Sequence, residues 1–300
     1  MSVLPSSGDQ TVGDRPAYKR SVVTDEISQD LDRAIRLARE FDLDGLDIRS
    51  VWDKTIHQLD NDELDRLRMA ADAAKLSIPC VAPPFLKCTI GVPSEWAEHK
   101  RILERSLQAA ERLGARYVRG FSFWKEIGLE RHWHQLVDAY REIAPMIERS
   151  GMILAIENEP SCLIGTTEHL PRLLRDIGSK NVRALWDPAN AAHDGELAIP
   201  DGFDRIFDDS VHVHIKDGRH VDGKWEHAIV GEGTVGLVDF SRALAKRGYD
   251  GWVALETHYR PKRTDVDLRR PAGHAFSEFG EEGTRACLIG WNKVLAEVHS

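Results

Sequence analysis

No apolar stretch in this 300-residue chain approaches the roughly 18 residues that a bilayer-spanning helix needs, so no membrane association through a span is expected. The opening residues, MSVLPSSGDQTVGDRPAYKR, are polar and carry Pro and Gly in place of an apolar segment. That excludes a typical secretory signal and reads as a flexible tail over residues 1–19. Cysteine is scarce: Cys80, Cys88, Cys162 and Cys287 stand without a CxxC pair among them. In a chain lacking a signal they read as reduced thiols, and a cytoplasmic location is the expectation. Basic residues are in deficit as well, with 40 Lys and Arg against 49 Asp and Glu and a net charge of −9. Nucleic acid demands a strong basic stripe and is excluded as a partner.

What the chain does contain is a set of short apolar runs, each carrying a metal-binding side chain at or near its end. MILAIE ends at Glu157, VRALWD at Asp187 and GWVALE at Glu256, and VHVHI carries His214. Short Val/Ile/Leu-rich runs bounded by turn residues suit strands covered on both faces. A carboxylate at the end of such a strand is costly, because removing one ionised group from water costs several kcal/mol even after relaxation. Converging carboxylates also repel one another. A shared divalent cation resolves both problems, and hard carboxylate oxygens with one imidazole suit Mn²⁺, Mg²⁺ or Co²⁺. The alternative is a set of separate strand ends, each paired to an Arg or capping a helix.

Strand-like and helix-like runs alternate along the chain as repeated βα units would. The strands are expected over Ser21–Ser28, Gly45–Trp52, Ile78–Phe85, Ala115–Trp124, Met152–Glu159, Val182–Ala189, Val211–Asp217 and Gly251–His258. Amphipathic helices lie between them. LDRAIRLAREF places Leu31, Ala34, Ile35, Ala38 and Phe41 on one face, and RILERSLQAAERLG does so with Ile102, Leu103, Leu107, Ala110 and Leu113. Gly114, Gly151 and Gly178 stand where a helix hands over to a strand, as C-cap chemistry favours. Eight such units predict a single-domain (β/α)₈ TIM barrel over residues 20–300. Its last four strands would bring their C-terminal ends to one mouth, where the catalytic groups of this architecture sit.

Histidines 212 and 214 are two apart and should share a side of strand seven. His214, nearer the strand end, is the expected ligand, and His212 a hydrogen-bonded residue one layer deeper. Asn158 and Asn190 follow two of the ligands and read as substrate contacts or as hydrogen-bonders to the ligands, with a surface-loop placement as the alternative. His99, His132, His134 and His169 fall on helical stretches and read as solvated. Gly231–Gly233 (GEG), with Gly236 following, lacks the Lys-Ser/Thr of a phosphate loop and reads as the turn into VDFSRALAKRG, or less simply as a substrate contact. The charged runs DNDELDRLR and RPKRTDVDLRR read as solvated surface. HAFSEFGEEGTRACLIGWNKVLAEV reads as the last barrel helix, its aromatic residues facing either the core or a partner subunit of a homo-oligomer.

The order Glu157, Asp187, His214, Glu256 on strands five to eight resembles the xylose isomerase-like barrel superfamily, and within it the sugar phosphate isomerase/epimerase group. Ketose 3-epimerases, hydroxypyruvate isomerase and inosose dehydratase belong there. LWDPAN, HVHIKD and the GEG turn followed by WVALET extend the similarity from about Ser21 to His258. The resemblance implies that the four residues hold one divalent ion, Mn²⁺ first, with Mg²⁺ or Co²⁺ as alternatives. It implies further that Glu157 and Glu256 act as acid and base on opposite faces of a bound sugar. Around this set the chain departs from the ketose 3-epimerases, which carry His where Asn190 stands and Gly-Glu where Lys216 and Asp217 stand. Arg219 lies one residue short of the place where those enzymes use an arginine on the substrate. Lys216 reads as a substrate contact or proton donor, or else as half of a salt bridge. The further His ligands of DNA-repair endonucleases find no obvious match.

Moving a proton beside a carbonyl requires a stabilised enediolate and a matched base. The expected function is therefore metal-dependent isomerisation or epimerisation of a small polyhydroxy carbonyl compound, a sugar or keto-polyol. Loss of water from the same enolate, as in an inosose dehydratase, is the second reading, and a non-catalytic sugar-binding barrel the third.

Overall fold

The computed structural model describes residues 15–126, 128–262, 273–298 and 300. Its sheet consists of β1 (Lys19–Val23), β2 (Gly45–Asp47), β3 (Cys80–Val81), β4 (Tyr117–Gly120), β5 (Ile153–Glu157), β6 (Val182–Trp186), β7 (Ser210–Ile215) and β8 (Trp252–Leu255). Neighbours pair in parallel in the order β2-β1-β8-β7-β6-β5-β4-β3. The two ends of that order meet: Leu46 N–H donates to Ser77 O at 2.9 Å, Ile48 N–H to Cys80 O at 3.0 Å and Ala82 N–H to Ile48 O at 2.8 Å. The result is a (β/α)₈ barrel. Around it run α1 (Leu31–Glu40), α2 (Asn61–Ala73), α3 (Pro93–Leu113), α4 (Leu129–Ser150), α5 (Leu170–Ile177), α6 (Pro188–His193), α7 (Leu237–Lys246) and α8 (Gly280–Val298).

All eight expected strands form, though most are shorter than expected. After Val23 the chain turns through Thr24–Glu26, and after Leu255 it leaves the sheet. Residues just beyond these ladders, Asp25, Glu26 and Glu256 among them, carry buried polar side chains. The last turns of α3, α4 and α5 pass into left-handed Gly114, Gly151 and Gly178. Gly45 serves a different need, since a Cβ there would lie 2.7 Å from Ser77 O and 2.8 Å from the Trp252 ring.

Several expectations are corrected. Helix α3 starts at Pro93, well before Arg101, and α1 buries Leu37 in addition to the expected face, on which Ile35 and Phe41 are partly buried against the core. His99 is buried, and its Nδ1 accepts the Leu86 N–H at 2.9 Å, so it ties α3 to the loop after β3. Arg260, read as surface, is half-buried against Glu26 at 3.0 Å, while residues 263–270 of that charged run lie outside the described set. The aromatic residues of the C-terminal stretch that are buried, Phe276 and Trp291, face inward. Of the expected tail, residues 1–14 lie outside the described set; Tyr18 is buried and Lys19 opens β1. Where one turn was expected after strand seven, a hairpin arm forms from Asp217–Val221 and Lys224–Ala228. Among the described residues no helix is long and apolar enough to cross a membrane, and the four cysteines are free and buried.

Candidate metal centre

Strand ends bring the ligand set together. Glu157 is the last residue of β5; Asp187 follows β6, His214 lies near the end of β7, and Glu256 follows β8. Leu185 pairs with His212, which sets Asp187 level with His214 and leaves His212 a layer below. All four residues are buried, and each offers one donor atom within 4.8 Å of the others.

Each carboxylate spends one oxygen on the surrounding scaffold. Asp187 Oδ1 caps α6, accepting the N–H groups of Ala189 at 2.9 Å and Asn190 at 3.0 Å. Glu157 Oε2 accepts from Arg119 at 3.2 Å, and Glu256 Oε1 from Arg49 at 2.9 Å and Arg119 at 3.1 Å. The remaining oxygens, Asp187 Oδ2, Glu157 Oε1 and Glu256 Oε2, are left for the centre. Lys216 places its ammonium on two of them, bonding Asp187 Oδ2 and, at 2.7 Å, Glu256 Oε2. Burial alone would raise the Glu256 carboxyl, but Lys216, His258, His214 and Arg49 outweigh it and hold the group well below the usual range.

His214 supplies the test of fit for a cation. Its ring is fully buried, yet neither nitrogen makes a hydrogen bond. Nδ1 stands 3.4 Å from Glu157 Oε1 and 3.9 Å from Glu256 Oε2, while Nε2 stands 3.8 Å from Asp47 Oδ2. A buried imidazole without partners is destabilising. A divalent ion accepted at Nδ1, with Nε2–H turned to a carboxylate, is the arrangement that metal-binding histidines adopt. Asp47 is fixed for that task by Ser21 Oγ at 2.7 Å and His212 Nε2 at 2.6 Å. The donor set and its surroundings fit a hard or borderline divalent cation.

Other expected residues divide. Asn190 reaches the site, donating to Glu157 Oε1 at 3.2 Å and to Asn158 O at 2.9 Å. Asn158 is buried as a clamp between strand ends: its amide accepts from Asp187 N at 2.9 Å and donates to Asp187 O at 2.8 Å. Lys216 pairs with ligand carboxylates and not with Asp217, whose carboxylate instead collects the N–H groups of Gly218, Gly231, Gly233 and Val235. The GEG turn is thus anchored by an aspartate, and a Cβ at Gly233 would lie 2.0 Å from it. Arg219 is not brought to the site; it lies exposed on the arm and donates to Glu232 O at 3.0 Å. Arg49 and Arg119 went unnoticed in the sequence, although each is a charge at or near the end of an apolar run, LDIR and YVR. The same rule that singled out the acids would have found them. A pocket of about 380 Å³ opens beside these groups, lined by Arg49, Lys87, Arg119, Glu256 and His258.

The family model described as xylose isomerase-like TIM barrel matches residues 35–277 of the chain. The protein belongs to this family. Among curated proteins it is similar to inosose dehydratase of Geobacillus thermodenitrificans, 25% identical over 155 residues, which cover 46% of this chain and 51% of that one. The chain thus spans about half the length of the curated relatives it matches. Among solved structures, D-psicose 3-epimerase of Clostridium cellulolyticum H10 aligns over 92% of this chain and 99% of its own, with a TM-score of 0.71 and 18% identity. The IolI protein, solved with a zinc atom, aligns over 93% and 98% with a TM-score of 0.68 and 19% identity. At such identities the structural likeness speaks for the fold.

Proposed function

We propose that this member of the xylose isomerase-like family is a divalent-metal enzyme that isomerises or epimerises a small polyhydroxy carbonyl compound. The observation carrying this reading is the pair Glu157 and Glu256, joined through one Arg119 Nη1 and flanking a centre bounded by Asp187 and His214. Glu157, Asp187, His214 and Glu256 would hold the metal, for which Mn²⁺ ranks ahead of Mg²⁺ and Co²⁺. When bound, such an ion supplies Lewis-acid stabilisation of charge developing on the carbonyl oxygen of the substrate. The protein's own groups do the rest. Glu157, oriented by Arg119 and Asn190, takes the proton from the carbon beside the carbonyl. Glu256, flanked by Arg49, Arg119 and Lys216, receives or returns a proton at the other face. Return to the opposite face inverts the centre, and return at the neighbouring carbon moves the carbonyl.

A second reading, loss of water, is favoured by two observations. The curated proteins similar to this chain include inosose dehydratases, and Lys216 holds a buried ammonium beside Glu256 from which a departing hydroxyl could be protonated.

Incubation of the metal-loaded protein with ketoses and inososes in D₂O separates the outcomes. Deuterium incorporation without water loss is the expected result; elimination selects the lyase, and absence of any exchange removes enolisation altogether. Glu157→Gln and Glu256→Gln retain one ligating oxygen and lose the acid/base group, a loss of about 10²–10⁴-fold in rate. Full turnover by either variant, with metal content verified, would take that glutamate out of the mechanism.

A further inference from the structure

A second part of the mouth takes no role in this chemistry. The hairpin arm, the end of α6, residues 159–161 and His258 bound a cleft of about 1150 Å³. Glu159 and His258 line both this cleft and the 380 Å³ pocket, so the two spaces meet at the acid cluster. Both spaces open to solvent, and the outer cleft is the roomier of the two.

Rings form its wall. Half-buried Trp225 lies over Gly218, where a Cβ would come within 2.5 Å of the indole, so the bare backbone is what lets the ring settle there. Its centroid is 5.2 Å from that of His220, 5.7 Å from His193 on α6 and 6.5 Å from His227. The His227 ring stands 4.9 Å from His258, and His258 Nε2 lies 3.7 Å from Glu256 Oε2. A row of rings thus leads from the arm to one of the two glutamates. Two nitrogens along it, His227 Nδ1 and His258 Nε2, are buried without a hydrogen-bond partner. Burial keeps the His227 imidazole neutral, lowering it to about 3. Neutral ring nitrogens suit hydroxyl groups, and an indole suits the apolar face of another ring.

We propose that this cleft is a second binding subsite, holding a ring joined by a glycosidic bond to the carbohydrate at the metal centre, so that the substrate is a glycoside whose carbonyl lies on a ring carbon other than the anomeric one, and not a free monosaccharide. The inference rests on the sugar-directed reading above. Calorimetric titration of the Mn²⁺-loaded protein with methyl β-D-glucopyranoside, cellobiose and phenyl β-D-glucopyranoside tests it. A ring-bearing probe is expected to bind at least about tenfold more tightly than the methyl glycoside. Trp225→Ala removes that preference and leaves the methyl glycoside unchanged, while Trp225→Phe keeps part of it. Preference for cellobiose identifies a second pyranose, and preference for the phenyl compound an aryl aglycone. Equal affinities, no binding of either ring-bearing probe, or a preference that survives Trp225→Ala overturns the subsite. Deuterium exchange into the ring-oxidised keto forms of the same probes reads the chemistry separately. Exchange blind to the second ring keeps enolisation and removes the subsite; ring-selective binding without exchange does the reverse.

Discussion

Burial would lower the metal-free His214 imidazole, but Glu157, Asp47 and Glu256 outweigh it and push the group up to about 9. Burial, with help from Glu157 and Glu256 and against Lys216, raises Asp187 to about 6. A metal must expel both protons, because only the deprotonated groups coordinate. Below about 9 His214 carries one proton, and below about 6 Asp187 carries another. Affinity for Mn²⁺ should therefore rise about tenfold per pH unit between 6 and 9, more steeply below 6, and level off above 9. Metal titrations from pH 5 to 10 read this slope; a flat profile would remove His214 from the ligand set. Lys216 makes a complementary prediction. Its ammonium compensates Asp187 and Glu256, so Lys216→Met leaves buried charge unpaired, at a cost of about 3–5 kcal/mol. A divalent ion supplies the missing positive charge. Urea unfolding should then show a large loss in chelator and a much smaller one with Mn²⁺ present; equal losses would mean that the lysine and the ion do not share those oxygens.

The strand ends of β5 to β8 were legible because an acid or imidazole at the end of an apolar run is costly enough to stand out. The hairpin arm was not. Its residues GRHV and KWEHA alternate polar and apolar side chains without an apolar face long enough to mark a strand, and its stability comes from an anchor far along the chain. That anchor is Asp217, which accepts four backbone N–H groups from Gly218 to Val235. Replacing it with Ala leaves four N–H groups without this acceptor, and those of buried Gly218 and Val235 are worth about 1–3 kcal/mol each. The expected outcome is faster amide exchange at Gly231, Gly233 and Val235 while β5 and β6 keep their protection. Unchanged exchange there would show that the arm is held by its rings alone. The partners of Arg49 were hidden for a similar reason: Asp25, Glu26 and Glu256 come from both ends of the sequence and meet only when β1 pairs with β8.

Closure of the barrel ties the candidate site to global stability. The four candidate ligand positions come from β5 to β8, and β8 pairs with β1, so an ion held among them would join the C-terminal half of the ring to itself. Binding to the native state alone stabilises by about 2.7 kcal/mol at one hundred times Kd. For a chain of 300 residues that corresponds to a rise of about 4 °C in Tm. Asp187→Ala should abolish the rise and leave far-UV circular dichroism unchanged. A Tm indifferent to Mn²⁺ in the unsubstituted protein would count against a site built from these residues. The single-domain architecture was readable from the recurrence of βα units, because each repeat needs its neighbours to cover both faces of its strand.

The sharing of carboxylate oxygens with the scaffold has a consequence for denticity. One oxygen each of Glu157, Asp187 and Glu256 is hydrogen-bonded to Arg119, to the start of α6, or to Arg49 and Arg119, which disfavours chelation through both. With one oxygen from each carboxylate and a ring nitrogen of His214, the chain would offer a cation four donor atoms. A tetrahedral ion would be coordinatively saturated by that set. An octahedral ion, the habit of Mg²⁺ and Mn²⁺, would keep coordination positions for further oxygen donors. Discrimination among metals is in this way written into the hydrogen bonds of the protein before any metal arrives.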